Sequence, residues 1–301
     1  MIMKNKFLVL LFLIPLVMQS KPIKVMLLTG KTDKFHRWKV TSSHLKGTLD
    51  FYEIFETDIV TIPDNDEDMK KFSPSFSDYK VVVLNHNSSG WPEQTQKAFA
   101  EYVKNGGGVV VVHEANNAFP NWKEYNQICG LGGWKGRNEN AGPYFYWEDG
   151  EYITDNKPGK AGHHGARVPF VINVRDKEHP ITKGLPEKWL HQNDELYGNL
   201  RGPAENIHVL ATAYSRKESK GTGKEELVLF TITYGKGRIF HTILGHTGDD
   251  FSDSVQDVGF QVTFSRGTEW AGTGKVKQKV PSEFPTETEV LLRNLTEVKS
   301  H

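Results

Sequence analysis

The sequence predicts an α/β protein, a mainly parallel sheet with helices on both faces. Two observations support this: short, wholly apolar runs that end in glycine or a polar residue, and amphipathic stretches between them. Residues 24–30 (Lys24-Val-Met-Leu-Leu-Thr-Gly30) form the first such run. Val40, Leu45, Leu49 and Tyr52 then recur at near-helical spacing, and residues 54–62 return to β-branched character before a Pro-Asp-Asn-Asp turn. A second unit repeats the plan. Residues 79–85 are its strand, Trp91-Pro-Glu starts its helix, Ala98, Tyr102 and Val103 are the helix's apolar stripe, and Gly106-Gly-Gly108 stops it. Residues 109–112 make the next apolar strand. Strands are also expected over 168–174 and 207–214, and Tyr-Gly-Lys-Gly joins 227–233 to 238–244 as a hairpin. Residues 250–270 read as a closing helix capped by Ser252 or Asp253, followed by a surface tail with Pro281 and Pro285.

At the amino end, Lys4 and Lys6 precede an uncharged apolar run over 7–18 and the small residue Ser20. That pattern is a secretory signal, too short to span a bilayer, and no cysteine sits there to take a lipid. The expected organisation is a signal over 1–20 and one domain over 21–301, free in a periplasm or outside the cell, with no stable membrane insertion. Lys plus Arg number 37 and Asp plus Glu number 37, so nothing draws the chain towards nucleic acid or anionic lipid. The expected partner is a small molecule, with homo-oligomerisation left open. Cys129 is the single cysteine; it makes no internal disulfide and reads as a small buried residue rather than a nucleophile.

Ligands of parallel sheets collect beyond the carboxyl ends of the strands. Here those ends carry Thr29-Gly30 leading to His36 and Trp38, then Asn85-His86-Asn87, then His113-Glu114-Ala115-Asn116. His113-Glu114 occupies the strand-to-helix corner at which related folds expose a nucleophile, but neither residue is one, so acyl-enzyme chemistry lacks its central part. His113 there reads as base, acid or metal ligand, or as a residue that orients the turn. Residues 130–165 are rich in Gly, Trp and Tyr without clean periodicity, as a lid or cleft wall would be. His163-His164 with Arg167, and His191-Gln-Asn-Asp194-Glu195-Leu-Tyr197 followed by Arg201, offer acid/base pairs and polar groups for sugar hydroxyls, or else caps and ion pairs. His246, at a strand end, is the better site candidate; His241, in the strand, reads as packed. No HExxH or paired-His spacing occurs, so a metal such as zinc would be held only if the fold gathers distant imidazoles. No GxGxxG joins a strand to a helix, so no nicotinamide cofactor is expected.

Taken as a set, several pieces resemble the ThuA-like, or trehalose-utilisation, family, which has the class I glutamine amidotransferase-like, flavodoxin-like three-layer fold. They are Gly106-Gly-Gly-Val-Val-Val-Val-His113, His179-Pro-Ile-Thr-Lys-Gly-Leu-Pro186, Asp194-Glu-Leu-Tyr197, Val209-Leu-Ala-Thr212, residues 234–246 and Thr268-Glu-Trp-Ala271, in family order. The resemblance implies carbohydrate catabolism, with relatives linked to sugar dehydrogenases and 3-keto-disaccharides, and motif positions at His36, His113, His164, Arg167, Asp194, Glu195, Tyr197 and His246.

The expected function is an enzyme acting on a sugar or glycoside, a 3-keto-sugar among the candidates, by acid/base chemistry with or without a divalent metal. His113, Asp194 and Glu195 are its expected catalytic residues. His36, Trp38, His86, Glu114, Arg167, Tyr197 and Arg201 are expected to bind substrate, and His164 and His246 a metal. Two alternatives are a non-catalytic sugar-binding protein, stacking rings on Trp134, Tyr144, Tyr146 and Trp147, and a metallohydrolase of an ester or amide.

Overall fold

The computed structural model of the chain describes residues 21–32, 34–248 and 250–296, so the signal expected over 1–20 lies outside the described residues. Its strands are β1 (Ile23–Gly30), β2 (Phe55–Thr61), β3 (Val81–His86), β4 (Gly108–Val112), β5 (Tyr144–Glu148), β6 (Glu151–Asp155), β7 (His163–His164), β8 (Val168–Val174), β9 (Lys188–Asp194), β10 (Tyr197–Gly198), β11 (His208–Tyr214), β12 (Glu225–Tyr234) and β13 (Gly237–Thr242). The α-helices are α1 (Trp38–Phe51), α2 (Asp66–Met69), α3 (Glu93–Lys104), α4 (Lys123–Cys129), α5 (Asp253–Gln256) and α6 (Val258–Thr273). No helix among the described residues is long and apolar enough to cross a membrane.

The sheet runs in the order β2-β1-β3-β4-β13-β12-β11-β8-β9. Its first five strands are parallel and the rest antiparallel. β3 and β4 are buried along their whole length, as wholly apolar runs in a parallel sheet require. Adjacent residues of β13 show that helices cover both faces: Phe240 lies against Gly267 of α6, while His241 bonds the Cys129 carbonyl at the end of α4. The β-α alternation read from the sequence holds only as far as β4. Beyond it the hairpin β12–β13 returns β13 to lie parallel beside β4, and the β5–β6 hairpin hangs on β12 through Trp147 and Glu225.

The closing helix differs from the expectation. Residues 253–256 form only a short turn of helix, and α6 begins at Val258 with Asp257 as its cap. Asp257 has an extended backbone and accepts from the Phe260 N–H at 3.0 Å, which ends the first turn and starts a new axis. Every residue of α6 from Val258 to Ala271 is buried. The sheet accounts for this. β9 stands four places from β13, about 19 Å away in a flat sheet, yet the Asp194 carboxylate at its end accepts from the Gly245 and His246 N–H groups just after β13, at 2.8 and 3.1 Å. The sheet is therefore rolled, and α6 lies inside the roll against β3, β4, β13 and β9.

Gly267 is where α6 comes closest to the sheet: a Cβ there would lie 2.1 Å from a Phe240 ring carbon. Gly267→Ala should therefore destabilise the fold by roughly 1–3 kcal/mol despite its better helix propensity, measured as a lower urea midpoint at unchanged m-value.

Candidate functional site

The carboxyl ends of β1, β4 and β13 and the end of β9 meet at one place. Gly30 closes β1 with φ +104° against the Ile62 carbonyl, and the following loop delivers His36. β4 stops at Val112, and His113 turns the chain into a 3-10 turn (His113–Asn117) with φ +44°, a left-handed conformation that is uncommon and strained for a residue with a side chain. After β13, Gly245 (φ +112°) sets the bend that brings in His246. Glu195 follows the last residue of β9.

One ligand atom each from His36, His113, Glu195 and His246 lies within 4.8 Å of all the others. The His113 and His246 rings approach with Nε2 and Nδ1 at 3.3 Å, and Glu195 Oε1 is 3.3 Å from His246 Nε2. Outer contacts fix the rings. His113 Nδ1 donates to the Ile243 carbonyl at 2.6 Å, and His36 Nδ1 faces Glu114 at 3.2 Å, the arrangement that orients metal-binding imidazoles. Burial, reinforced by the neighbouring His246 and His36, holds His113 well below its ordinary pKa, and burial takes His246 down to about 4. Burial raises Glu195. Three imidazoles, two of them held neutral by burial, and a carboxylate form a donor set that suits zinc and other first-row divalent ions, so the residues present fit a metal.

The His113 ring stacks on Tyr197 with centroids 4.1 Å apart, and Tyr197 packs on Trp134 at 4.5 Å. The Tyr197 hydroxyl lies 3.2 Å from His36 Nε2. His164, on the β7–β10 ribbon, is exposed at the mouth, 3.8 Å from Glu195 Oε1. Trp134, Lys135 and Gly136 are three successive left-handed residues, and this tight turn sets the indole in the cleft wall. Of the four aromatics expected to stack a sugar, only Trp134 is there. Tyr144 is stacked by Arg201 and Tyr146 by Lys224, while Trp147 faces Arg175.

Other expected site residues lie apart from the cluster. His86 is wholly buried between Trp91 and Phe119. Arg201 is buried and donates to the Gly142 and Lys157 carbonyls, which pins the 130–165 segment. Arg167 comes nearest, bordering the cluster: it pairs with Asp253 at 2.8 Å over the Phe251 ring, which itself packs on His246 at 5.3 Å, while half-buried Trp38 opens α1. His241 packs on Phe230 at 4.3 Å. Cys129 is buried, and burial pushes its thiol up to about 12.

Asp194 is placed differently from a catalytic acid or base. It has no exposure, and its oxygens accept from the Glu195, Gly245 and His246 N–H groups and face His191 Nε2 at 2.9 Å. His191 is equally buried, and its Nδ1 lies 3.3 Å from Asp257, the α6 cap. Burial alone would lower the His191 pKa, but Asp257 and Asp194 outweigh it and raise it to about 9. The sequence signals Asp194 beside His191 but gives no sign that Asp257 joins them.

The family model for ThuA, described as trehalose utilisation, matches residues 24–271. The chain belongs to the ThuA family. A protein from Parabacteroides merdae ATCC 43184, described as ThuA-like, shares 51% sequence identity and superposes with a TM-score of 0.89 over 93% of this chain and 100% of its own. A ThuA-like protein from Bacteroides uniformis ATCC 8492 (18% identity, TM-score 0.54, 88% of this chain and 97% of its own) and a cytoplasmic protein from Salmonella typhimurium LT2 (13%, 0.52, 83% and 99%) share the fold. No curated protein matches. Membership of the ThuA family implies a role connected with carbohydrate utilisation.

The histidines make stability fall on both sides of neutrality. Below 6.5 the unfolded chain takes up protons that His246 and His241 (about 4) and His86 (about 3) refuse in the fold, so stability falls as pH drops. His191 keeps its proton to about 9 against an ordinary 6.5, so its contribution is complete below 6.5 and is lost as pH rises through 9. That rise corresponds to about 3 kcal/mol. Urea unfolding should thus give a lower free energy at pH 9.5 than at pH 7 in the wild type, with the alkaline loss reduced in His191→Gln.

Proposed function

We propose that this ThuA-family chain is an exported, metal-dependent enzyme that acts on a sugar or glycoside, a 3-keto-sugar among the candidates, by general acid/base chemistry. In this reading residues 21–301 form one domain after the signal is removed. The observation that carries the reading is the convergence of His36, His113, Glu195 and His246 within 4.8 Å at the strand ends.

These four residues would hold the ion, whose chemistry is to polarise a carbonyl and the oxygen beside it. Glu195 and the surrounding side chains do the rest. A C–H next to a ketone is acidic enough for a carboxylate to take its proton, and the electron pair then passes to the carbonyl oxygen. Glu195, which would face the ion through one carboxylate oxygen, is suited to accept that proton at the other, and His164, 3.8 Å from its Oε1 and open to solvent, to carry it out. The Tyr197 hydroxyl, beside His36, is placed to donate to a substrate oxygen. Trp134, half-buried beside Tyr197 and His164, is the aromatic available at the cluster for a pyranose ring.

That aromatic face also favours the second reading, a sugar-binding protein without turnover. Calorimetry with glucosides and their 3-keto derivatives, paired with product analysis, separates the two, since binding with no product after long incubation favours the second.

Elemental analysis of the purified protein should find about one divalent metal per chain, lost in His113→Ala and His246→Ala. On a substrate found in that screen, Glu195→Gln should lower kcat by about 10²–10⁴-fold. Trp134→Ala should raise KM about fivefold with little change in kcat, the loss of a stacking contact of about 1 kcal/mol.

A further inference from the structure

Glu195 and His246 belong to segments far apart in sequence, and no backbone pairing of β9 with β13 holds them together. The Asp194 carboxylate spans that gap. Oδ1 accepts from the Glu195 N–H at 2.8 Å and the His246 N–H at 3.1 Å, while Oδ2 accepts from the Gly245 N–H at 2.8 Å and faces His191 Nε2 at 2.9 Å. The other face of His191 meets Asp257 at 3.3 Å, and Asp257 is itself fixed by the Phe260 N–H at the start of α6 and the Gln192 N–H of β9. All three side chains, Asp194, His191 and Asp257, are wholly buried. The other ring against His191 is Phe170, at 5.2 Å.

Two buried carboxylates cost several kcal/mol each unless paired, and a hydrophobic trio of similar volume would often be as stable. What such a trio could not do is accept three N–H bonds from two separate loops at one carboxylate. We infer that His191, anchored on Asp257, is a positioning residue that holds the Asp194 carboxylate where it sets the separation of Glu195 and His246, and so tunes the affinity of the four-residue cluster for a divalent ion. This rests on the metal reading above. The polar contacts of His191 run to Asp194 and Asp257, so its effect would travel through Asp194 and the backbone.

The test uses cobalt(II), whose visible bands report coordination geometry, titrated into the mature wild type, His191→Gln, Asp257→Asn and Leu49→Ala, the last a destabilised control remote from the site. Affinity is read from the titration, folding from circular dichroism and thermal melts. His191→Gln is expected to weaken cobalt binding about 10–100-fold and to change the band positions, with Asp257→Asn weaker in the same direction and Leu49→Ala unchanged on both counts. If His191→Gln binds within twofold of wild type with the same spectrum while melting lower, His191 is a structural charge only and the inference is overturned. Amide exchange at Glu195, Gly245 and His246 needs no metal. Wild type that binds no cobalt sinks the metal reading, and the positioning role then stands if those amides lose protection in His191→Gln or Asp257→Asn and falls if they keep it.

Discussion

The site depends on one closure, the return of the sheet's far edge to its parallel half. Parallel strands alone bring His36, His113 and His246 to a common edge, because each lies just beyond the carboxyl end of a strand. Glu195 cannot come that way. It reaches the cluster only because the antiparallel strands roll about α6 and the Asp194 carboxylate fastens β9 to the turn after β13. Rolling also answers an energetic need. α6 is apolar or small on nearly every side, with Phe260, Phe264 and Trp270 among its buried residues, and a helix of that kind is stable only when enclosed.

Burial lowers the pKa of each of these histidines, and what lies beside them decides the outcome. His113 and His246 are buried near other imidazoles and held neutral, the state in which a ring nitrogen offers a lone pair. His191 is as deeply buried but lies between two carboxylates, which keep it protonated. The same residue type thus supplies both the donors of the cluster and the cation that stiffens its frame.

Much of this was legible in the sequence. The apolar runs at β1, β3 and β4 and the hairpin of β12 and β13 announce themselves because burial on both faces of a sheet leaves a continuous hydrophobic run. The histidines at strand ends follow from topology, which is why His36, His113 and His246 could be named. What could not be read were properties of distant pairs. Asp194 and Glu195 are neighbours with opposite fates, one turned into the frame and one into the cluster, and only the roll of the sheet decides which. His86 and Arg201 look like site residues by type and position, yet one is sealed among aromatics and the other holds carbonyls. The break before Val258 escaped notice because a cap at Asp257 and a cap at Asp253 are equally good by local chemistry.

The threading of β13 between β4 and β12 has a consequence for how the molecule is made. The ribosome releases β4 long before its neighbour β13 and the covering helix α6 exist, so Val109–Val112 wait as a greasy border, unpaired on that side, until those segments emerge. The pocket's last imidazole, on His246, is born later than every other member of the cluster. The proposed ion site is therefore complete only in a nearly finished polypeptide, and a chain cut short before its final fifth presents a sticky margin without it.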